Sequence, residues 1–163
     1  MKDLTAKNIQ KFQTNDGYAW SASFYLRDKK IGSASDQGHG GEVDTRGLNP
    51  TALAEIEDYA KTLPKFGGDM NLEQDAAMVL EAVMWDTVDQ RKTKSLLKRK
   101  VVAVLPKGIY EWKIAKGRTA DEVMEKVLEQ YPDAKLLNRL PLDEANRILH
   151  PTAEDFTKGF KLQ

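Results

Sequence analysis

From residue 18 onward, apolar and polar positions alternate. Tyr18, Trp20, Ala22, Phe24 and Leu26 fall on one side of a period-two pattern, and Ser21, Ser23 and Arg27 fall on the other. Successive side chains of a strand point to opposite faces, so this is the signature of a half-buried β-strand. Asp28, Lys29 and Lys30 interrupt the run as a polar turn, and residues 31–35 read as the returning strand of a hairpin. The hairpin ends in Gly38, His39, Gly40 and Gly41, where glycine lets the backbone take positive φ or approach a partner closely. Upstream, residues 1–17 are polar with Leu4, Ile9 and Phe12 as anchors, which predicts a short edge strand ahead of the turn signal Asn15-Asp16-Gly17. A third short strand is expected around residues 42–45.

The period then becomes helical. Asn49 is a good N-cap before Pro50, and Leu53, Ile56, Ala60 and Leu63 recur at helical spacing, which predicts a helix over 50–63 stopped by Pro64. Phe66, Gly67 and Gly68 read as a loop, and Asn71 as the cap of a second helix over 72–91 whose stripe runs from Leu72 through Val79, Leu80 and Met84 to Val88. Trp85 on its flank is expected to cover the sheet edge. Residues 101–105 are continuously apolar, Pro106-Lys107-Gly108 is a turn, and Tyr110, Trp112 and Ile114 share one side of residues 109–114, giving a second hairpin. Thr119 and Glu122 form a capping-box pattern that opens a helix over 120–130, closed by Pro132. Residues 135–137 read as a short strand, 142–149 as a short helix, and 152–160 as a last helical turn or ordered tail.

Together these elements predict one α+β domain over residues 1–163, with 140–163 as a helical appendage or tail. Its antiparallel sheet is made of the two hairpins, with about three helices packed on one face. Composition fits: 40% hydrophobic and 31% charged residues are ordinary for a globular chain, and 163 residues are enough for a real core. The 25 basic and 25 acidic residues cancel, which removes the simplest case for a nucleic-acid binder, a globally basic chain, while leaving room for a local patch. Cysteine is absent, so disulfides, thiol catalysis and thiolate metal sites are excluded. No apolar run reaches signal-peptide or membrane-span length, so a cytoplasmic protein without membrane contact is expected.

Chemistry-bearing residues gather in two places. Asp36, His39, Glu42 and Asp44 put an imidazole among carboxylates, the kind of set that binds a divalent metal or pairs a base with an acid. The spacing matches no metal motif, however, and a polar glycine-rich connection explains it better. Gly38, Gly40 and Gly41 would let backbone amides cradle an anion, but neither the Lys-Ser/Thr of a P-loop nor the three spaced glycines of a dinucleotide fingerprint is present. In the second place, Arg91, Lys92, Lys94, Lys98 and Arg99 form a basic run. A solvated helix end complementing the macrodipole is one reading, and contact with phosphate or an acidic protein surface is the other. His150 before Pro151 reads as a helix C-cap, and no serine sits in a nucleophile elbow. Trp20, Tyr25, Tyr110 and Trp112 lie on strands, as core residues or as a stacking platform for single-stranded nucleic acid. No catalytic set, metal or cofactor is assigned.

YAWSASFYLRDKKIGSASDQGHGGEV (residues 18–43) and KVVAVLPKGIYEWK (residues 100–113) resemble the two hairpins of small uncharacterised proteins carried by bacteriophages and prophages. The shared pattern is an aromatic strand, a lysine turn, an Ile-Gly or Val-Gly step and an acid-containing glycine cluster. The resemblance implies a setting, in which small accessory proteins bind and inhibit host factors, defence components among them. It carries no site residue by itself. The expected partner is thus a host protein, contacted through Asp36, the 38–41 loop and the basic run. A nucleic acid or nucleotide ligand on the same residues is the alternative, and an uncovered hairpin edge leaves a homodimer open.

Overall fold

A computed structural model describes residues 1, 3–65 and 71–151. The loop expected at Phe66, Gly67 and Gly68 and the final turn expected over 152–160 lie outside the described residues. The fold is α+β, and the chain divides into two compact units, residues 1–88 and residues 89 onward.

The first unit opens with three antiparallel strands in the order β1-β2-β3: β1 (Leu4–Gln13), β2 (Tyr18–Leu26) and β3 (Lys29–Asp36). β1 is a full ten-residue strand where a short one was expected, and a bulge divides it. Lys7 pairs with Ser23 and Gln10 with Ser21, so Asn8 and Ile9 together face Ala22, with Asn8 in the left-handed region at φ 52°. One extra residue reverses which face later side chains take. Leu4 and Ala6 are buried on the helix side, whereas Phe12, expected as an anchor, points to the other face and is 65% exposed.

The β2–β3 turn is two residues long, Arg27 and Asp28, both with positive φ as a type I′ hairpin requires, and Lys29 and Lys30 already belong to β3. The arginine is held there from both ends. Its amide donates to the Asp3 carbonyl, and its guanidinium donates two 2.7 Å bonds to the Glu55 carboxylate. The strand expected around residues 42–45 is reduced to a single bridge, Asp44 to Ser35.

Asn49 accepts from the Ala52 amide and Pro50 follows, so α1 (Pro50–Ala60) starts where expected. The second helix starts later than expected. Asn71 has φ 50° and caps nothing; Asp75 accepts from the Met78 amide instead, and α2 runs Ala76–Arg99. Trp20, Ala22, Phe24 and Leu26 meet Ile56, Leu80 and Met84 in one core on the helix side of the sheet. Complete burial of side chains this size contributes about 1.5–3 kcal/mol each. Tyr18, at the end of the same stripe, is exposed and stacks edge-on against Trp85, with Lys11 of β1 beside both rings.

In the second unit β4 (Lys100–Leu105) follows α2 without a loop and pairs with β5 (Gly108–Lys113) and the two-residue β6 (Lys135–Leu136), in the order β5-β4-β6. The two hairpins therefore lie in separate sheets, each completed by a third strand. Asn138 holds the corner between α2 and β4: it accepts from the Val102 amide and donates to the Leu97 and Lys100 carbonyls. α3 (Ala120–Gln130) has the expected capping box of Thr119 and Glu122, and its Met124 and Val127 cover Val101 and Ala103. A 3-10 turn (Leu137–Arg139) leads to α4 (Leu142–Leu149), whose Ala145 and Ile148 pack with Val102 and Val104 on the other face. Buried Thr93 donates to Asn146 at 2.8 Å.

Candidate functional site

The glycine cluster is positioned by bonds to its own neighbours. The Gly38 amide donates to Asp36 Oδ1 at 2.6 Å, and Thr14 Oγ1 donates to the Gly38 carbonyl at 2.7 Å. A Cβ on Gly38 would stand 2.6 Å from the Ala19 amide nitrogen, so glycine is needed here for close packing. Gly40 also has φ +73°, but open space surrounds it. Asp36, His39, Gly41, Glu42 and Asp44 do come together, around a hollow of about 280 Å³ that Ser35 and Arg46 complete. Arg46 bonds Asp44 in two places and holds its carboxyl down at about 2. His39 is exposed, with Nδ1 3.6 Å from an Asp16 oxygen. Among the described residues no three His, Asp or Glu side chains stand close enough to hold a metal ion. What this hollow offers is an exposed imidazole, the Asp36 and Glu42 carboxylates and a neutralised ion pair.

The basic run lies in the second unit, on the last three turns of α2, extending the helix beyond the expected end at 91. Lys92 is paired with Asp89 at 2.6 Å, and Arg99 Nε donates to the Ser95 carbonyl at 3.1 Å. Lys98 and Arg99 sit in the final turn, where their charge complements the helix dipole. Lys94 and Lys98, one turn apart, line a groove of about 550 Å³ with Leu97, Met124, Leu140 and the carboxylate of Asp121. His150 caps α4, its amide donating to Asn146 O.

Two further surfaces lie apart from these clusters. A hollow of about 680 Å³ in the first unit carries Glu42, Glu57, Asp75 and Glu81 on its walls. Three of these acids serve the fold: Glu57 accepts from the Ala76 amide, Asp75 from Met78 and Glu81 from the Trp85 indole. The other surface is the edge of the second sheet. Tyr110 and Trp112 of β5 and Tyr131 at the C-cap of α3 form a row with ring centres 6.4 and 6.2 Å apart, and Tyr110 and Ile109 are both exposed. The alternating aromatics were legible; their exposure at an open edge depended on strand order.

The other sheet edges are blunted. β1 has its bulge and lysines, β3 is bridged by residues 44 and 48, and β6 is two residues long. β5 has neither bulge nor proline, and its Glu111 is turned back to Lys100 of β4. Among the described residues no helix is long and apolar enough to cross a membrane. Comparison with family models, curated proteins and solved structures finds no match to this chain.

Proposed function

We propose that this chain is a non-enzymatic binding protein, an accessory protein of the bacteriophage and prophage kind that acts in the host cytoplasm by engaging and inhibiting a host protein, with defence components as the first partners to test. The observation that supports this reading is the β5 edge, which among the described residues has no strand beyond it, with its aromatic row. An unpaired edge offers a line of backbone donors and acceptors that an extended segment of another protein can complete as an added strand. Tyr110 and Trp112 on one face and Ile109 on the other would grip its side chains, and aromatic anchors carry much of the energy of such contacts.

The test is capture from a bacterial host lysate with the immobilised chain. The wild type is expected to retain a stoichiometric protein, and a variant carrying Ile109→Lys with Tyr110→Glu to lose it. A partner held equally by both would refute the β5 edge. Two copies pairing through β5 about a twofold axis would use the same groups, and a sedimentation shift from dimer to monomer in that variant would assign the edge to self-association.

A nucleic acid or nucleotide ligand on the basic run is the second reading. Its support is the pair Lys94 and Lys98 in their groove. Affinity on that basis must fall with salt and disappear in a Lys94→Ala, Lys98→Ala variant.

A further inference from the structure

Among the described residues the helices of the first unit cover one side of its sheet, and on the opposite side Gly38 packs at Ala19, at one end. Cross-strand partners share a face, so the pairs Lys7–Ser23, Gln10–Ser21, Phe12–Ala19 and Tyr25–Lys30 all lie opposite the helix side; none of these side chains joins the helix-side core, and of them only Ala19 is buried. At the centre of this face two serine pairs, Ser21–Ser35 and Ser23–Ser33, stand across β2 and β3. Phe12 marks one end and Tyr25 the other. Their positions lie about six residue steps apart along β2, from Ala19 to Tyr25, about 20 Å at the usual strand rise.

We propose that this face is a platform for single-stranded nucleic acid. Lys7 Nζ stands 4.4 Å from the centre of the Tyr25 ring, and Lys30 is the cross-strand partner of Tyr25. Neither lysine has an ion pair among the described residues. Asp44 reaches the β3 edge of this face through its bridge to Ser35, but Arg46 matches its charge. The face is therefore net cationic, with an aromatic ring at each end and hydroxyls that donate or accept between them. Base stacking at Tyr25 and Phe12, phosphate contact at Lys7 and Lys30, and hydroxyl contact to sugar and base edges fit a short single strand. A protein partner fits less well, because interface cores are apolar and poor in lysine. A duplex fits poorly, since the flat face has no element to enter a groove. This inference rests on the first sheet alone and is independent of the β5 proposal.

The experiment is fluorescence anisotropy with a labelled oligothymidylate of about ten nucleotides, a length within the usual range for single-strand sites, titrated with the full chain at low salt. Binding is expected, weakened about tenfold or more by Tyr25→Ala and by Phe12→Ala, in line with the usual loss per stacked base. Lys94→Ala with Lys98→Ala should leave it unchanged, and the same sequence as a duplex should bind more weakly. Phe12 is largely exposed, so its removal leaves the fold intact; unchanged circular dichroism of each variant verifies this. No binding at low salt, equal binding by both aromatic variants, or equal binding of the duplex would overturn the proposal.

Discussion

The rings of Trp112 and Tyr131 stand 6.2 Å apart, which ties the edge strand β5 to the C-cap of α3. Trp112 reaches into the cluster of Val101, Met124 and Val127, so Tyr131 steadies a residue with one side in the core and one toward solvent. Tyr110 continues the row outward and is 41% exposed. Tyr131→Ala should therefore cost about 1–2 kcal/mol in denaturant unfolding, from a lost aromatic pair and some burial. Tyr110→Ala should cost under about 1 kcal/mol, as exposed sites do. Equal costs at the two positions would mean that the row is a single structural unit.

Trp20 separates burial from hydrogen bonding. It is 2% exposed, yet its indole Nε1 has no partner among the described residues. Trp20→Ala should cost on the order of 3–5 kcal/mol through the cavity it leaves. Trp20→Phe removes the N–H without stranding an acceptor, so its cost should stay near 1–2 kcal/mol. A Phe variant as unstable as the Ala variant would contradict this account of the site.

The glycines rank by what a Cβ would meet. At Gly32 it would stand 2.1 Å from the Gly47 carbonyl oxygen, on a backbone with φ +134°. Gly32→Ala should prevent β3 from keeping residues 44–48 against its edge, and Gly38→Ala should disturb the contact with Ala19. Gly40→Ala meets only the left-handed conformation, about 1–2 kcal/mol. Thermal unfolding of the three variants should follow that order, and a Gly40 variant as damaged as Gly32→Ala would place an unseen constraint on the loop.

Asp44 should titrate at about 2, because Arg46 donates to its carboxylate. A depressed carboxyl contributes stability that is present above its unfolded value, about 3.9, and is lost as pH falls through the folded one. The contribution is small at so exposed a pair. Carboxyl chemical shifts followed by NMR should show the low midpoint, and Arg46→Ala should return it to the ordinary range. A normal midpoint in the wild type would mean that the pair does not persist in solution.

Elements with local signals were legible in the sequence. α3 runs over the expected 120–130 because Thr119 and Glu122 cap each other, and α1 begins at Pro50 because Asn49 caps it. Features set by tertiary pairing were not. The bulge at Asn8 and Ile9 that turns Phe12 outward has no signal in residues 1–17, where no glycine precedes Gly17. Arg27 adopts positive φ because Asp3 and Glu55 hold it, and both lie far away in sequence or in another element. β6 is too short for periodicity to mark, yet it completes the second sheet and leaves β5 as the open edge. The hollow around His39 was legible as a cluster, while the bonds that fix Gly38 were not.

Strand addition at β5 is tested most directly by hydrogen–deuterium exchange of the chain with and without its captured partner. Complex formation is predicted to slow the amides of Gly108–Lys113 strongly while leaving those of β1 at their free rates. Unchanged exchange in β5 together with slowing elsewhere would contradict it.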